Sequence, residues 1–99
     1  MLYAIYAIDG PDGASVRQRV REKHLERIQK LVDEGRLVLA GPFPKADTED
    51  IAAAGVSGSL IVGEFASLEA ARAWAEEDPY SAEGGFASVD IRPFKQVAP

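Results

Sequence analysis

The chain contains a single histidine, His24, at a position suited to proton-transfer chemistry. On a helical projection, His24 lies in the middle of the apolar stripe of the first predicted helix, so its ring faces whatever that helix packs against. Asp78 begins an Asp-Pro-Tyr sequence and continues the apolar stripe of the second predicted helix. Because a buried imidazole and a buried carboxylate each need a partner, we expect His24 and Asp78 to meet.

A pair of this kind is suited to general acid–base catalysis. Asp78 would fix the tautomer of the imidazole and stabilise its charged form, which leaves the second ring nitrogen of His24 to exchange a proton with a small molecule. The alternative is a structural hydrogen bond that ties two helices together. The residues alone leave both interpretations open.

Basic residues are concentrated in the first predicted helix, although the protein carries a net charge of −5. Six of the eleven lysines and arginines lie there: Arg17, Arg19, Arg21, Lys23, Arg27 and Lys30. Arg17 and Arg21 project beside His24, where they could hold a substrate carboxylate or enolate through bidentate hydrogen bonds. A solvated helix face is the competing interpretation for Arg21 and the favoured one for Arg19 and the two lysines.

The remaining candidates for ligand contact carry weaker signals. Tyr80 and Ser59 supply hydroxyl groups, and Gly41 and Pro42 begin a long connection whose backbone could line a pocket. The sequence contains no phosphate-binding glycine loop and no nucleophile elbow. With no cysteine and one histidine, the chain also lacks the usual ligands of a metal centre, so we expect neither a metal nor a cofactor.

Length and composition fit one globular domain over residues 1–99. Hydrophobic residues make up 46% of the chain and charged residues 27%, which suffices for a core without disulfide or metal support. The acidic net charge repels nucleic acid backbones and anionic lipid, so neither is an expected partner. The segment from Met1 to Asp9 has neither a basic leader nor the length of a membrane span, and we therefore expect a cytoplasmic protein.

Six secondary-structure elements are predicted. They are a strand over Leu2–Ile8, a helix capped by Ser15 and running to about Glu34, a strand over Arg36–Ala40, a strand over Ser59–Phe65, a helix capped by Ser67 and running through Glu77, and a strand over Ala87–Phe94. The Gly-Pro-Phe-Pro sequence at 41–44 is expected to end the second strand. Residues 41–58 then form a long connection of the kind that often carries function.

The element order β-α-β-β-α-β is that of α+β ferredoxin-like folds, in which an antiparallel four-stranded sheet carries two helices on one face. The first and third strands are apolar on both sides, so the helix-free face of the sheet also needs cover. A second copy of the same sheet would supply it. We therefore predict a homodimer whose sheets face each other.

Short motifs follow one another along the chain in a specific order. They are Tyr-Ala-Ile-Tyr-Ala at 3–7, Arg-Glu-Lys-His-Leu at 21–25, Glu-Gly-Arg-Leu at 34–37, Ala-Gly-Pro at 40–42, Gly-Ser at 58–59, Ala-Trp-Ala at 73–75, Asp-Pro-Tyr at 78–80 and Arg-Pro-Phe-Lys at 92–95. In this order and spacing they resemble the YCII-related (YciI-like) family over nearly the whole chain. The resemblance implies a ferredoxin-like, dimeric α+β barrel and an active-site dyad formed by His24 and Asp78. Its superfamily includes muconolactone isomerases and a dehydrochlorinase of chlorinated hydroxyquinols, which implies proton transfer on small cyclic oxygenated compounds.

The leading hypothesis is a small-molecule enzyme, a lyase or isomerase by preference and otherwise a hydrolase, with His24 as general acid and base and Asp78 orienting it. The residues expected to line its substrate pocket are Arg21, Gly41, Pro42, Ser59 and Tyr80. The second hypothesis is a non-catalytic metabolite-binding or sensing protein that uses the same pocket. Both hypotheses imply a small-molecule ligand, for which Arg21 favours anionic character.

Overall fold

A computed structural model describes the whole chain, residues 1–99. Its elements are β1 (Leu2–Asp9), α1 (Gly13–Asp33), β2 (Leu37–Pro44), α2 (Ile51–Ala54), β3 (Val56–Glu64), α3 (Leu68–Glu77), α4 (Pro79–Ala82) and β4 (Phe86–Phe94). The predicted β-α-β-β-α-β order is confirmed, and two one-turn helices, α2 and α4, are added to it. Neither α1 nor any other helix combines the length and the hydropathy that a bilayer crossing requires.

The four strands form one antiparallel sheet in the order β2-β3-β1-β4. β1 is central and pairs with both of its neighbours, so that Ile5 lies opposite Ile61 of β3 on one side and Ile91 of β4 on the other. The arrangement confirms the predicted ferredoxin-like α+β fold.

The hydrophobic core lies between the sheet and the two long helices. Side chains alternate along β1, and Tyr3 and Ile5 are buried on one of its faces. Leu31 of α1 and the small residues Ala71 and Ala75 of α3 pack into the same cluster. Both long helices therefore cover one face of the sheet, as predicted.

Helix α1 begins at Gly13, earlier than the predicted start at Ser15. The predicted serine cap is wrong, because the Ser15 hydroxyl lies inside the first turn and donates to the backbone oxygen of Asp12 at 2.9 Å. A glycine is needed at position 13, since a Cβ there would collide with the carboxylate of Asp9. The early start of the helix thus brings Asp9 of β1 against its first turn.

The course of α1 is interrupted at Val20, which has φ −120° and ψ 15°. A projection that assumes a continuous helix places Val16, Leu31 and, at the margin, Val32 in its apolar stripe. Val32 is 48% exposed rather than buried. Val16 and Leu31 are buried as expected. His24 follows the interruption and still faces inward, with 13% of its side chain exposed.

The long connection predicted at 41–58 is shorter in the structure, because strands occupy both of its ends. β2 continues to Pro44, and β3 already begins at Val56. β2 tolerates Pro42 and Pro44, because it is an edge strand, where a residue whose nitrogen faces outward needs no N–H for pairing. Only residues 45–55 remain as a connection, and they contain α2.

The face of the sheet opposite the helices exposes large apolar side chains. Leu39 is 47% exposed, Tyr6 45%, Ile8 43% and Phe94 41%. The pairing register places all four on this face, and the ring of Phe43 lies 5.4 Å from that of Tyr6. These five residues are called the apolar sheet face below.

Replacement of Gly58 by alanine is expected to weaken the pairing of β1 with β3. A Cβ at this position would overlap the backbone carbonyl of Ala7, and the two strands would have to separate locally. We expect the free energy of unfolding to fall by about 1–3 kcal/mol, as at other overpacked sites, measured by urea denaturation. Gly41→Ala is the matched control, since a Cβ there meets nothing within 4 Å. Equal unfolding midpoints for the two variants would contradict the close approach of Gly58 to the backbone of Ala7.

Candidate active site

The structure brings His24 and Asp78 into direct contact. Nδ1 of His24 lies 2.8 Å from Oδ2 and 3.0 Å from Oδ1 of Asp78. Both side chains are largely buried, with 13% and 4% of their surface exposed. Because a carboxylate only accepts hydrogen bonds, Nδ1 carries the proton in this contact, and Nε2 is the ring nitrogen left for other partners.

Asp78 reaches this position through a change of backbone direction. With φ −62° and ψ 134° it ends α3 and precedes Pro79, the first residue of α4. Its Oδ1 accepts a hydrogen bond from the backbone N–H of Tyr80 at 2.9 Å. From the sequence, Asp78 follows the last turn of the second predicted helix, where the helix dipole disfavours a carboxylate. The structure corrects that view, because Asp78 is also the N-cap of the next helix, where a carboxylate is favourable.

Arg27 is part of the site, although its sequence position marks it only as one of six basic residues in its helix. Its Nη1 donates to Oδ2 of Asp78 at 3.2 Å, and its Nη2 donates to the backbone oxygen of Trp74 at 2.8 Å. Its guanidinium carbon lies 4.4 Å from the centre of the Trp74 ring. The available signal was its spacing from His24, since residues three apart on a helix share a face.

Tyr80 packs flat against His24. The two ring centres are 4.1 Å apart and the ring planes differ by 14°. Burial raises the pKa of Tyr80 above its ordinary value of 10.0, and the positive charges of Arg17 and Arg21 offset part of that rise. The hydroxyl therefore stays protonated at neutral pH and is available as a hydrogen-bond donor.

The two arginines predicted beside His24 have different surroundings. Arg17 donates two hydrogen bonds of 2.8 Å to the carboxylate of Asp9, and its guanidinium carbon lies 4.9 Å from the centre of the Tyr80 ring. Arg21 is exposed and makes no ion pair within the chain. Arg17 is thus fixed in place, whereas Arg21 is free to follow a ligand.

A cavity of about 460 Å³ opens beside His24. Six of the site residues predicted from the sequence line it, namely Arg21, His24, Gly41, Pro42, Ser59 and Tyr80. The apolar side chains of Leu25, Ile28 and Ile51 form part of the remaining wall. Asp78 is not in the lining, but it contacts two residues that are, His24 and Tyr80. The cavity therefore combines an apolar wall with polar groups on two sides.

Nε2 of His24 and Oγ of Ser59 have no hydrogen-bond partner within the chain. Because no buried polar side-chain atom lacks a hydrogen bond, both atoms are accessible to solvent, and both residues line the cavity. Ser59 lies inside β3, opposite Pro42 of β2, rather than at the predicted start of the strand. A ligand would thus meet a proton acceptor and a hydroxyl group.

The chain is similar to known proteins along almost its entire length. The family model of the YCII-related domain matches residues 1–95. A protein named YciI from Escherichia coli O6:H1 is 54% identical over 97 residues, which cover 98% of this chain and 99% of that protein. An uncharacterized protein from Haemophilus influenzae is 44% identical, again over 98% of this chain and 99% of that protein.

A solved structure shares the fold. It is 5-chloro-2-hydroxyhydroquinone dehydrochlorinase, TftG, from Burkholderia phenoliruptrix AC1100 in complex with 2,5-dihydroxybenzoquinone. Its TM-score to this chain is 0.84 at 27% sequence identity, with 96% of this chain and 94% of that chain covered. Fold similarity therefore extends over the whole sheet and its helices.

The tautomer of His24 can be measured directly, because it is the only histidine in the chain. We expect the neutral imidazole to carry its proton on Nδ1, where Asp78 accepts it, and to leave Nε2 bare. Nitrogen-15 chemical shifts in mildly alkaline solution would report this state. Asp78→Asn should lose the preference, since an amide can also donate, whereas Asp90→Asn in an exposed part of β4 should keep it. A wild-type ring protonated on Nε2 would contradict the arrangement.

Proposed function

The chain belongs to the YCII-related domain family, and from that membership we propose that it is a small-molecule enzyme in which His24 and Asp78 form a general acid–base dyad. The observation that carries the proposal is the asymmetry of the imidazole. Asp78 binds Nδ1, and Nε2 is unpaired and solvent-accessible on a residue that lines the cavity. A general base needs this combination of a fixed ring and a second nitrogen within reach of a ligand.

A purely structural His–Asp hydrogen bond accounts less well for the surroundings of the ring. Such a bond needs no accessible Nε2 and no further polar groups beside it. In this chain Arg21, Ser59 and Tyr80 line the same cavity as His24, so hydrogen-bonding groups converge on one space. That convergence favours a ligand site.

Each part of the site has a role in the proposed reaction. Nε2 of His24 accepts a proton from the substrate, and the carboxylate of Asp78 stabilises the imidazolium that results. The Tyr80 hydroxyl and the Arg21 guanidinium stabilise negative charge that develops on a substrate oxygen. The residues that position the substrate are Ser59, Gly41 and Pro42. An anionic or phenolic ligand fits this set of donors best.

A lyase or isomerase reaction on a small cyclic oxygenated compound is the class that we favour. In a dehydrochlorination, the substrate loses a proton to Nε2, the electron pair left behind forms a new double bond, and chloride leaves with the electrons of the carbon–chlorine bond. The net change is loss of HCl, and no oxidant or reductant is required. In an isomerisation, the same nitrogen returns the proton to a different substrate atom. The dehydrochlorinase that shares this fold supports the class, and hydrolysis ranks behind both.

Turnover should depend on both members of the dyad. We expect the wild-type protein to release chloride from chlorinated hydroquinones or to isomerise lactones in a panel assay. His24→Ala removes the base and should lower kcat by about 10²–10⁴-fold, and Asp78→Asn should lower kcat because it releases the ring. Arg19→Gln is the matched control, since it removes a surface charge of the same helix that pairs with Glu83.

Two results would speak against this function. Equal turnover in the wild type and in both dyad variants would remove His24 and Asp78 from catalysis. Thermal stabilisation of the wild type by a ligand, with no conversion of any compound, would instead favour a non-catalytic metabolite-binding protein that uses the same cavity.

We further propose that the protein is a homodimer associated through the apolar sheet face. Leu39, Tyr6, Ile8 and Phe94 are large apolar side chains exposed on one side of the sheet. Exposed apolar surface on a small protein marks an interaction site, and a two-fold related copy presents the same surface to it.

A charge placed in the apolar sheet face should prevent this association. We expect the wild type to sediment as a dimer and Leu39→Glu to sediment as a monomer, because a dimer would bury the new carboxylate without a partner. Val97→Glu is the control, since Val97 is an apolar residue that is 89% exposed outside this face. A monomeric wild type at micromolar concentration would rule the dimer out.

A further inference from the structure

Arg27 contacts the dyad carboxylate without lining the cavity. It lies one turn after His24 on α1, and both side chains converge on Oδ2 of Asp78, at 3.2 Å for Arg27 and 2.8 Å for His24. A substrate in the cavity would meet His24 but not Arg27. Arg27 can therefore act on the chemistry only indirectly, through its charge and its contact with Asp78.

Contacts outside the dyad hold Arg27 in place. Its Nη2 donates to the backbone oxygen of Trp74 at 2.8 Å, and its guanidinium carbon lies 4.4 Å from the centre of the Trp74 ring. The side chain is 23% exposed. Since these contacts do not involve the imidazole, Arg27 stays beside Asp78 whether or not His24 is charged.

The fixed arginine changes the charge balance of the site. Arg27, Asp78 and a neutral His24 together have no net charge, and a proton added to His24 leaves a net positive charge in a buried site. Without Arg27, the same proton would complete a neutral imidazolium–carboxylate pair. A buried carboxylate with no other cation would then draw the proton onto the ring.

The other groups near the ring do not reverse this balance. Tyr80 of α4 stacks on the ring, and the other charged groups of the surroundings, apart from Asp78 and Arg27, are Arg17 and Arg21 of α1, Asp9 of β1 and Glu77 at the end of α3. The two arginines oppose protonation, and the tyrosine is uncharged at neutral pH. Asp9 is paired with Arg17, and Glu77 lies 4.0 Å from Arg27 with 77% of its side chain exposed, so solvent screens it.

From these contacts we propose that Arg27 is a positioning residue that keeps His24 in its neutral, proton-accepting form by compensating the charge of Asp78. The contribution of Arg27 to catalysis rests on the proposed function, in which His24 is the base. The effect of Arg27 on the protonation of His24 does not depend on turnover of a substrate, so it can be measured separately.

The test follows protonation of the single imidazole by proton NMR as the pH changes. Arg27→Met removes the charge and keeps an aliphatic side chain against Trp74, Arg27→Gln removes the charge and keeps polar atoms, and Arg27→Lys keeps the charge. Loss of a cation beside the shared carboxylate makes protonation easier. We therefore expect the midpoint of His24 protonation to rise by about one pH unit in Arg27→Met and Arg27→Gln. In Arg27→Lys it should stay near the wild-type value. Arg19→Gln, which removes a surface charge of the same helix, should leave it unchanged.

Two outcomes would overturn the proposal. One is an unchanged or lower midpoint in a neutral variant that keeps the wild-type circular dichroism spectrum. The other is an equal rise in Arg27→Lys, because charge could not be its cause. If only one of the two neutral variants folds, the difference between its midpoint of His24 protonation and that of Arg27→Lys tests the proposal.

The same series separates this proposal from the proposed function. If no compound is converted by the wild type, the proposed function fails, and the NMR midpoints still decide the role of Arg27. If the wild type is active, the acidic limb of its kcat/KM profile should move to higher pH in Arg27→Met by the same amount as the midpoint.

Discussion

Three donors from two separate parts of the chain converge on the carboxylate of Asp78. His24 and Arg27 come from α1, and the backbone N–H of Tyr80 comes from the turn between α3 and α4. The carboxylate is 4% exposed, and removal of one partner from a buried ion pair destabilises a protein by about 3–5 kcal/mol, a large share of the stability of a domain this small. The direction of Nε2, and with it the chemistry open to the cavity, depends on this one group.

The sequence predicted the inward direction of His24 because helical periodicity over several turns tolerates the local interruption at Val20. It also predicted that Asp78 would meet His24, since the element order places both long helices on one face of the sheet. The cap at Ser67 is confirmed by its hydrogen bond from Ala70 at 3.0 Å. These features follow from local periodicity and from topology, which a single sequence carries.

Other features depend on tertiary context that local patterns do not hold. Prolines normally end strands, and only the strand order shows that β2 lies at an edge where they are tolerated. The start of α1 at Gly13 depends on the packing of Asp9. Arg27 has a long side chain that could reach many partners, so its contact with Asp78 could not be selected from its position on the helix alone.

The prolines of β2 have a consequence beyond the length of that strand. In an antiparallel pair, alternate residues direct their N–H groups away from the partner strand, and Pro42 and Pro44 occupy two such outward positions of the edge strand. The β2 edge of the sheet therefore lacks two of the N–H donors that an added strand would need. This edge is a poor template for strand addition, which protects the chain against edge-to-edge aggregation.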